Sequence, residues 1–200
     1  MQVTYILRKT EMIFFHEAHK EKAQHNQYWY SASTIDAIVS EILMNRPSRV
    51  ACLSTPSIFA KCAESGLVCD LFDFDKELIA CVSNVSSGCR AIFFDYNHPF
   101  ISPENQRIYD CVVCDPPFIS PEVLMSYCCT IKELARVTAK VIFTSTAENQ
   151  VVLSAMIEPE VFAVPFLPSI PSLVYQYNIY VNYPIRDNSA FAQRNPEVQS

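Results

Sequence analysis

Short apolar runs alternate with amphipathic segments along most of the chain. Apolar positions in 34–44 recur at helical spacing, and Pro56 suits the first turn of a second helix. Helices are predicted at 34–44, 56–63, 123–137 and 148–157, and strands at 50–53, 67–74, 91–94, 108–114, 140–144, 161–166 and 174–183. This order predicts an α/β fold with a mainly parallel seven-stranded sheet, helices on both faces and an antiparallel hairpin at one edge.

The composition is that of one globular domain. The chain has 200 residues, of which 50% are hydrophobic and 18% are charged. Its net charge of -6 argues against a protein that coats nucleic acid by neutralising phosphates, and is compatible with a basic protein partner. The longest charge-free stretch, 161–185, contains four prolines and is not expected to span a membrane.

The nine cysteines are predicted to be reduced thiols in a cytosolic or nuclear compartment, of which the cytoplasm is preferred. Four of them fall in apolar, strand-like runs, where a free cysteine behaves as a small hydrophobe: Cys52, Cys69, Cys111 and Cys114. Cys111 and Cys114 are spaced like a zinc-binding pair, but positions three apart on a strand point to opposite faces. No second cysteine pair follows at zinc spacing, so no metal site is predicted.

The motif Asp115-Pro116-Pro117-Phe118 is the strongest candidate for chemistry. It follows a predicted strand and precedes a predicted helix, and open α/β sheets bind their ligands at the carboxyl ends of strands. The two prolines have no N–H, so the turn presents mostly hydrogen-bond acceptors, which suit an amino group. Phe118 can cover a flat ring or an alkyl chain. The alternative is a purely structural turn, because Asp-Pro-Pro is also a good generic turn sequence.

Polar residues also end the preceding predicted strands. The chain has two glycines and therefore no G-x-G-x-x-G loop, which weighs against a dinucleotide cofactor. S-Adenosylmethionine (SAM) carries no phosphate, and a carboxylate from Asp73 or Asp75 can hold its ribose hydroxyls. Asp95 and Asn97, after the next strand, can address the adenine. The alternative is that these residues only form turns.

Several motifs together resemble the eukaryotic lysine methyltransferases of translation elongation factor 1-alpha, formerly described as N6-adenine methyltransferases. The matching motifs keep the order of that family and are QYWYS at 27–31, ACLSTPS at 51–57, LFDFDK at 71–76, FDYNHP at 94–99, DCVVCDPPF at 110–118 and YVNY at 180–183. The resemblance implies a class I methyltransferase (Rossmann-like) domain at 27–186. Residues 1–26 are then a helical lead-in, and residues 187–200 are a C-terminal tail.

The resemblance implies that the chain uses SAM to methylate a lysine of elongation factor 1-alpha. It assigns the 115–118 motif to catalysis and favours Asp75 over Asp73 as the ribose ligand. It adds Ser54, Thr55 and Tyr96 to the cofactor site. Trp29 and Tyr30 are expected to line the lysine channel. Trp29 is equally well explained as a residue that packs the lead-in against the domain.

Two other functions fit the same residues. The first alternative is an N6-adenine methyltransferase acting on RNA or DNA, since the D-P-P-F motif is similar in enzymes that methylate adenine. The acidic composition weighs against it. The second alternative is an inactive methyltransferase fold that serves as a binding subunit, which the intact motif at 115–118 disfavours.

Overall fold

Helices and strands alternate through the molecule much as the hydrophobic pattern predicts. The computed structural model describes residues 19–82 and 86–198. The α-helices are α1 (Ala32–Asn45), α2 (Pro56–Glu64), α3 (Lys76–Val82), α4 (Pro121–Leu134) and α5 (Gln150–Met156). The strands are β1 (Val50–Leu53), β2 (Cys69–Asp73), β3 (Arg90–Phe93), β4 (Tyr109–Cys114), β5 (Ala135–Ser145), β6 (Phe162–Ala163) and β7 (Asn178–Val181).

The strands form one seven-stranded sheet in the order β3-β2-β1-β4-β5-β7-β6. Strands β1 to β5 pair in parallel, whereas β7 runs antiparallel to both β5 and β6. The predicted fold class is therefore confirmed, including the antiparallel pair at the edge. Because the parallel strands end on the same side, the loops that follow β1, β2, β3 and β4 meet at one edge of the sheet.

The sheet separates two hydrophobic cores. Val50 and Cys52 of β1 belong to the core that contains α1, α2 and α3, whereas Ala51 and Leu53 belong to the core under α4 and α5. Alternation of side chains along each strand explains this division. Cys111 and Cys114 fall in different cores, as their spacing on a strand predicts. All nine cysteines are free thiols.

Two elements differ from the prediction. Helix α3 was not predicted, although the sequence contains a capping residue for it. The Asp75 carboxylate accepts hydrogen bonds from the Glu77 and Leu78 amides and caps the first turn. Helix α4 ends at Leu134, and β5 begins at once, so the predicted helical extension to 137 is wrong. The β-branched Val137 and Thr138 favour the extended backbone there.

The last two strands are shorter than predicted, and a long loop joins them. Strand β6 contains two residues, and β7 begins at Asn178. The loop between them is tied to the start of α1, since Ser31 N donates to the Ser169 carbonyl and Ser169 N donates to Thr34 Oγ1. Every helix among the described residues is too short or too polar to cross a membrane.

Both ends of the described chain pack against the domain. Residues 1–18, most of the predicted helical lead-in, lie outside the described residues. Residues 23–25 form a 3-10 turn, and the Trp29 indole donates to the His19 carbonyl over 2.8 Å. Phe191, in the predicted C-terminal tail, is fully buried and contacts the Phe166 ring. The segments on both sides of 27–186 therefore contribute to the folded structure.

Candidate active site

A pocket opens at the carboxyl edge of the sheet. The loops that follow β1, β2, β3 and β4 form its floor, and residues 24–30 and the loop before β7 complete its walls. Every residue that the sequence predicts for the site lines this pocket: Trp29, Tyr30, Ser54, Thr55, Asp73, Asp75, Asp95, Tyr96, Asn97, Asp115, Pro116, Pro117 and Phe118. The structure brings them together, while their individual roles stay predictions.

The loop after β1 turns without glycine. Ser54 has a φ of 55°, in the left-handed region that usually favours glycine, and its amide donates to the Phe72 carbonyl over 2.8 Å. Its hydroxyl lies 2.7 Å from the Tyr127 hydroxyl. Thr55 precedes Pro56 at the start of α2. These contacts hold the Ser54 and Thr55 segment against the pocket, where most class I methyltransferases have a glycine-rich loop.

The two carboxylates that follow β2 have different environments. Asp73 accepts a hydrogen bond from the Asp75 amide, and burial raises the pKa of Asp73 to about 6. The pKa of Asp75 is lowered, because the Lys22 ammonium, 2.8 Å away, and the amides at the start of α3 outweigh the effect of burial. Asp75 is therefore the more firmly ionised of the two candidate ribose ligands.

Asp95 and Asn97, which follow β3, form a turn, as the alternative interpretation of these residues predicted. The backbone and side-chain nitrogens of Asn97 donate to Asp95 Oδ1 over 2.9 and 3.2 Å. Both side chains also line the pocket, so the turn does not compete with a role in binding. The Tyr96 ring lies 6.2 Å from the Phe118 ring and 6.0 Å from the Tyr127 ring. Aromatic faces thus flank this end of the pocket.

Asp115 is fixed at the carboxyl end of β4. Its amide donates to the Leu53 carbonyl of β1 over 3.1 Å, and its Oδ1 accepts a 2.6 Å hydrogen bond from Thr144 Oγ1. Burial raises the pKa of Asp115 to about 6, although the hydroxyl groups of Thr144 and Tyr30 act in the opposite direction. Asp115 is therefore a partly desolvated carboxylate that is ionised at neutral pH.

The rest of the motif presents acceptors and an aromatic face. The Asn26 side-chain amide donates to the Pro117 carbonyl, which ties residues 24–30 to this turn. Phe118 is 44% exposed, so its ring is available at the pocket mouth. Trp29 and Tyr30 are buried behind it and line the same pocket. Trp29 therefore serves as a packing anchor through His19 while it also forms part of the pocket wall.

The sequence analysis missed several residues of the pocket region, including the following four. Asn26, Tyr127 and Tyr177 line the pocket, and Thr144 contacts Asp115 from β5. The strand order could have revealed Thr144. Cys114 of β4 pairs with Phe143 of β5, so the next residues on the two strands are neighbours. Asn26 and Tyr177 come from irregular segments, for which the periodicity of the sequence carries no information.

The residues of the pocket fit SAM. Carboxylates from three strand ends can accept hydrogen bonds from the ribose hydroxyls, the adenine amino group and the ammonium group of this cofactor. They would repel a pyrophosphate, which usually sits at a glycine-rich helix start. Among the residues of 19–82 and 86–198, no three His, Cys, Asp or Glu side chains converge as a metal site.

If Asp75 holds the ribose hydroxyls, as predicted, substitution Asp75→Asn should weaken SAM binding by roughly tenfold to a hundredfold, because it removes the charge of the acceptor. Isothermal titration calorimetry with the purified variant measures this directly. Glu77→Gln is the matched control, since Glu77 also pairs with Lys22 at 2.8 Å but lies outside the pocket lining. Weaker binding by Asp73→Asn with unchanged binding by Asp75→Asn would transfer the ribose role to Asp73.

Comparisons with known proteins identify the family of the chain. A family model described as Probable N6-adenine methyltransferase matches residues 21–185. The chain is 29% identical to EEF1A lysine methyltransferase 1 of Danio rerio, over 80% of this chain and 98% of the relative. It is 30% identical to the protein of the same name in Gallus gallus, over 82% of this chain and 76% of the relative.

A solved structure shares the fold at low sequence identity. The TehB-like SAM-dependent methyltransferase of Corynebacterium glutamicum superimposes with a TM-score of 0.53 and 13% identity, over 74% of this chain and 85% of that one. The fold, the pocket and the match to the family model agree. The chain belongs to the family described as Probable N6-adenine methyltransferase, has EEF1A lysine methyltransferase 1 among its relatives, and is a SAM-dependent methyltransferase.

Proposed function

We propose that the protein is a SAM-dependent protein-lysine N-methyltransferase and that its substrate is translation elongation factor 1-alpha. The observation that carries the proposal is the position of Asp115, a partly desolvated carboxylate in a pocket that Trp29 and Phe118 also line. Such a site accepts hydrogen bonds from a primary amine and packs against its alkyl chain. The names of the relatives in Danio rerio and Gallus gallus support the choice of lysine and of elongation factor 1-alpha.

The residues of the chain mainly supply positioning. SAM, when bound, supplies a methyl group that is already electrophilic. Asp115 and the Pro116 carbonyl orient the amine nitrogen, while Phe118, Trp29 and Tyr30 surround the lysine side chain. A lysine has an ordinary pKa of about 10.4, and desolvation among these aromatic residues lowers it. The proton leaves to water, and Asp115 acts as an orienting group.

A second candidate is methylation of adenine N6 in RNA or DNA. The description of the family favours it, and Tyr96 and Phe118 offer aromatic faces on which a base could stack. The net charge of -6 and the carboxylates in the pocket count against a polyanionic substrate. An inactive binding subunit is the weakest candidate, because the D-P-P-F turn is intact and lies in the pocket.

We further propose that residues 27–186 form the methyltransferase domain, with 1–26 as a lead-in and 187–200 as a C-terminal tail. The free state of all nine cysteines supports a reducing compartment, and we place the reaction in the cytoplasm. The partner is then a protein, and nucleic acid becomes the partner only under the second candidate.

Incubation of the purified protein with radiolabelled SAM, and separately with elongation factor 1-alpha or total RNA, is expected to label only the protein substrate. Acid hydrolysis should recover the label as methyllysine. Elongation factor 1-alpha whose lysines have been chemically dimethylated beforehand is the matched control and should stay unlabelled. Label on RNA would move the assignment to adenine. Label on neither, with SAM still bound, would indicate another acceptor.

A further inference from the structure

A chain of three hydrogen-bonding groups runs behind the D-P-P-F turn. Tyr30, Thr144 and Asp115 come from three distant parts of the sequence. The Tyr30 hydroxyl lies 2.8 Å from Thr144 Oγ1, and Thr144 Oγ1 lies 2.6 Å from Asp115 Oδ1. Tyr30 and Thr144 are each only 3% exposed. Water therefore has little access to the two hydroxyl groups, and each depends on protein partners for its hydrogen bonds.

The chemistry of the groups fixes the direction of the hydrogen bonds. An ionised carboxylate can only accept, and a threonine hydroxyl has one hydrogen to donate. Thr144 is close to two acceptors, Asp115 Oδ1 at 2.6 Å and the Cys114 carbonyl at 3.3 Å, and the charged and shorter contact is the stronger one. Since its hydrogen is thereby used, Thr144 accepts the hydrogen of Tyr30. The order of donation is Tyr30 to Thr144 to Asp115.

We propose that Thr144 and Tyr30 are positioning residues that engage Oδ1 of Asp115 and so present its Oδ2 to the acceptor amine. The identity of that amine rests on the proposed function, whereas the hydrogen bonds do not. Tyr30 thus has a more specific role than a wall of the lysine channel, and the end of β5 becomes part of the active site.

The same hydrogen bonds keep Asp115 ionised. Donation from Thr144, whose oxygen in turn accepts from Tyr30, lowers the pKa of Asp115 against the effect of burial. Four further titratable groups interact electrostatically with Asp115, and all are neutral near pH 7 because burial raises the pKa of each: Tyr30, Tyr177, Tyr127 and Cys114. Loss of the Thr144 hydroxyl should therefore raise the pKa of Asp115. The four neutral groups supply no charge that could compensate for the lost hydrogen bond.

Substitution Thr144→Val, which preserves shape and removes the hydroxyl, is expected to lower kcat about a hundredfold, the effect of a misplaced reacting group. The Kd for SAM, measured by calorimetry, should stay within about twofold. Thr144→Ser restores the hydroxyl and should restore kcat to within about threefold of the wild type. Tyr30→Phe should lower kcat by about tenfold, since it removes one donor further from the carboxylate.

Thr130→Val is the matched control. Thr130 is equally buried, and its hydroxyl bonds the Ser126 carbonyl within α4, away from the pocket lining. This variant should keep wild-type kcat. Equal activity of Thr144→Val and the wild type would overturn the proposal. So would equal losses in Thr144→Ser and Thr144→Val, because the effect would then follow side-chain packing and not the hydroxyl.

A measurement that needs no methyl-accepting substrate separates this proposal from the proposed function. The pKa of Asp115, followed by NMR of its carboxyl carbon in aspartate-labelled protein, should rise in Thr144→Val and return in Thr144→Ser. An unchanged pKa in Thr144→Val would contradict the hydrogen-bonding chain. If the pKa rises while elongation factor 1-alpha stays unlabelled by the wild type, the positioning residues are supported and the assigned substrate is wrong.

Discussion

Substitution of Asp115 by Ala or Asn is expected to lower methyl transfer by roughly 10²- to 10³-fold, the effect of removing one preorganised polar group from an active site. Asp115 is the charged member of the D-P-P-F turn, and burial raises its pKa to about 6 while leaving it ionised at pH 7.5. Alanine removes both oxygens. Asparagine retains the shape of the side chain, but one of the two acceptor oxygens becomes an NH₂ group, which can only donate. Initial rates with saturating SAM measure the loss.

The stability of Asp115→Asn should distinguish lost chemistry from lost folding. The folded-state pKa of about 6 lies above the ordinary value, so ionisation of Asp115 disfavours the folded state as the pH rises from about 4 to 6. At pH 7.5 the neutral variant should therefore melt at or above the wild-type temperature, and this difference should vanish below pH 4. Calorimetric melting curves at the two pH values test the sign.

Glu122→Gln is the matched control for this pair of variants. Glu122 is an exposed carboxylate in the first turn of α4, seven positions beyond Asp115, and does not line the pocket. Its removal should leave the rate unchanged. Asp115→Ala protein that still transfers methyl groups at more than a tenth of the wild-type rate would refute the orienting role of the carboxylate.

The sequence alone was sufficient for the fold class and for the acidic strand ends of the pocket, whereas Ser54, Thr55 and Tyr96 entered through the family resemblance. Strands β1 and β4 are buried on both faces, so their apolar runs stand out, and their ends place Ser54 and Asp115 at one edge. The carboxyl-edge rule for parallel sheets then gathers the polar ends of four strands without any knowledge of loop conformation. Of the wall made by residues 24–30, only Trp29 and Tyr30 were predicted, through the motif at 27–31 and not through periodicity.

The missing parts depend on tertiary contacts that leave no periodic signal. Helix α3 has seven residues, too few for a reliable repeat, and its capping by Asp75 was masked by the expected cofactor role of that residue. Thr144 looks like an ordinary β-branched strand residue until β5 is placed beside β4. Tyr177 comes from the loop before β7, whose position depends on hydrogen bonds between Ser169 and Ser31 and Thr34 at the start of α1.

At the amino ends of the parallel strands, opposite the pocket, the buried carboxylate of β2 binds residues at the starts of three other strands. Asp70 of β2 is fully buried and lies within 2.8 Å of Arg49 Nε, 2.6 Å of an Arg90 guanidinium nitrogen and 2.6 Å of the Tyr109 hydroxyl. The three partners precede or begin β1, β3 and β4. Against the effect of burial, hydrogen bonds from Arg90 and Arg49 lower the pKa of Asp70. The sequence offers no sign of this cluster, because its members are far apart.

Substitution Asp70→Ala is expected to destabilise the protein by about 3 kcal/mol, since it leaves two guanidinium groups and a buried phenol without their shared acceptor. For a domain of this size the melting temperature should fall by roughly 6–12 °C. The value lies at the lower end for buried ion pairs because the Arg49 and Arg90 side chains are 27% and 41% exposed and can be partly rehydrated. Urea unfolding followed by circular dichroism gives the difference in free energy.

The pH dependence of that difference identifies its electrostatic origin. Because the folded-state pKa of Asp70 is lowered, its stabilisation is complete above the unfolded-state pKa of about 3.9 and is lost as the pH falls through the folded-state pKa. Wild type and Asp70→Ala should therefore converge in acid. Asp36→Ala removes a 62% exposed carboxylate paired with Lys61 and should cost under about 1 kcal/mol. If the difference in free energy of unfolding between the wild type and Asp70→Ala persists unchanged in acid, the loss comes from packing alone. The charge of the carboxylate would then not hold the strands together.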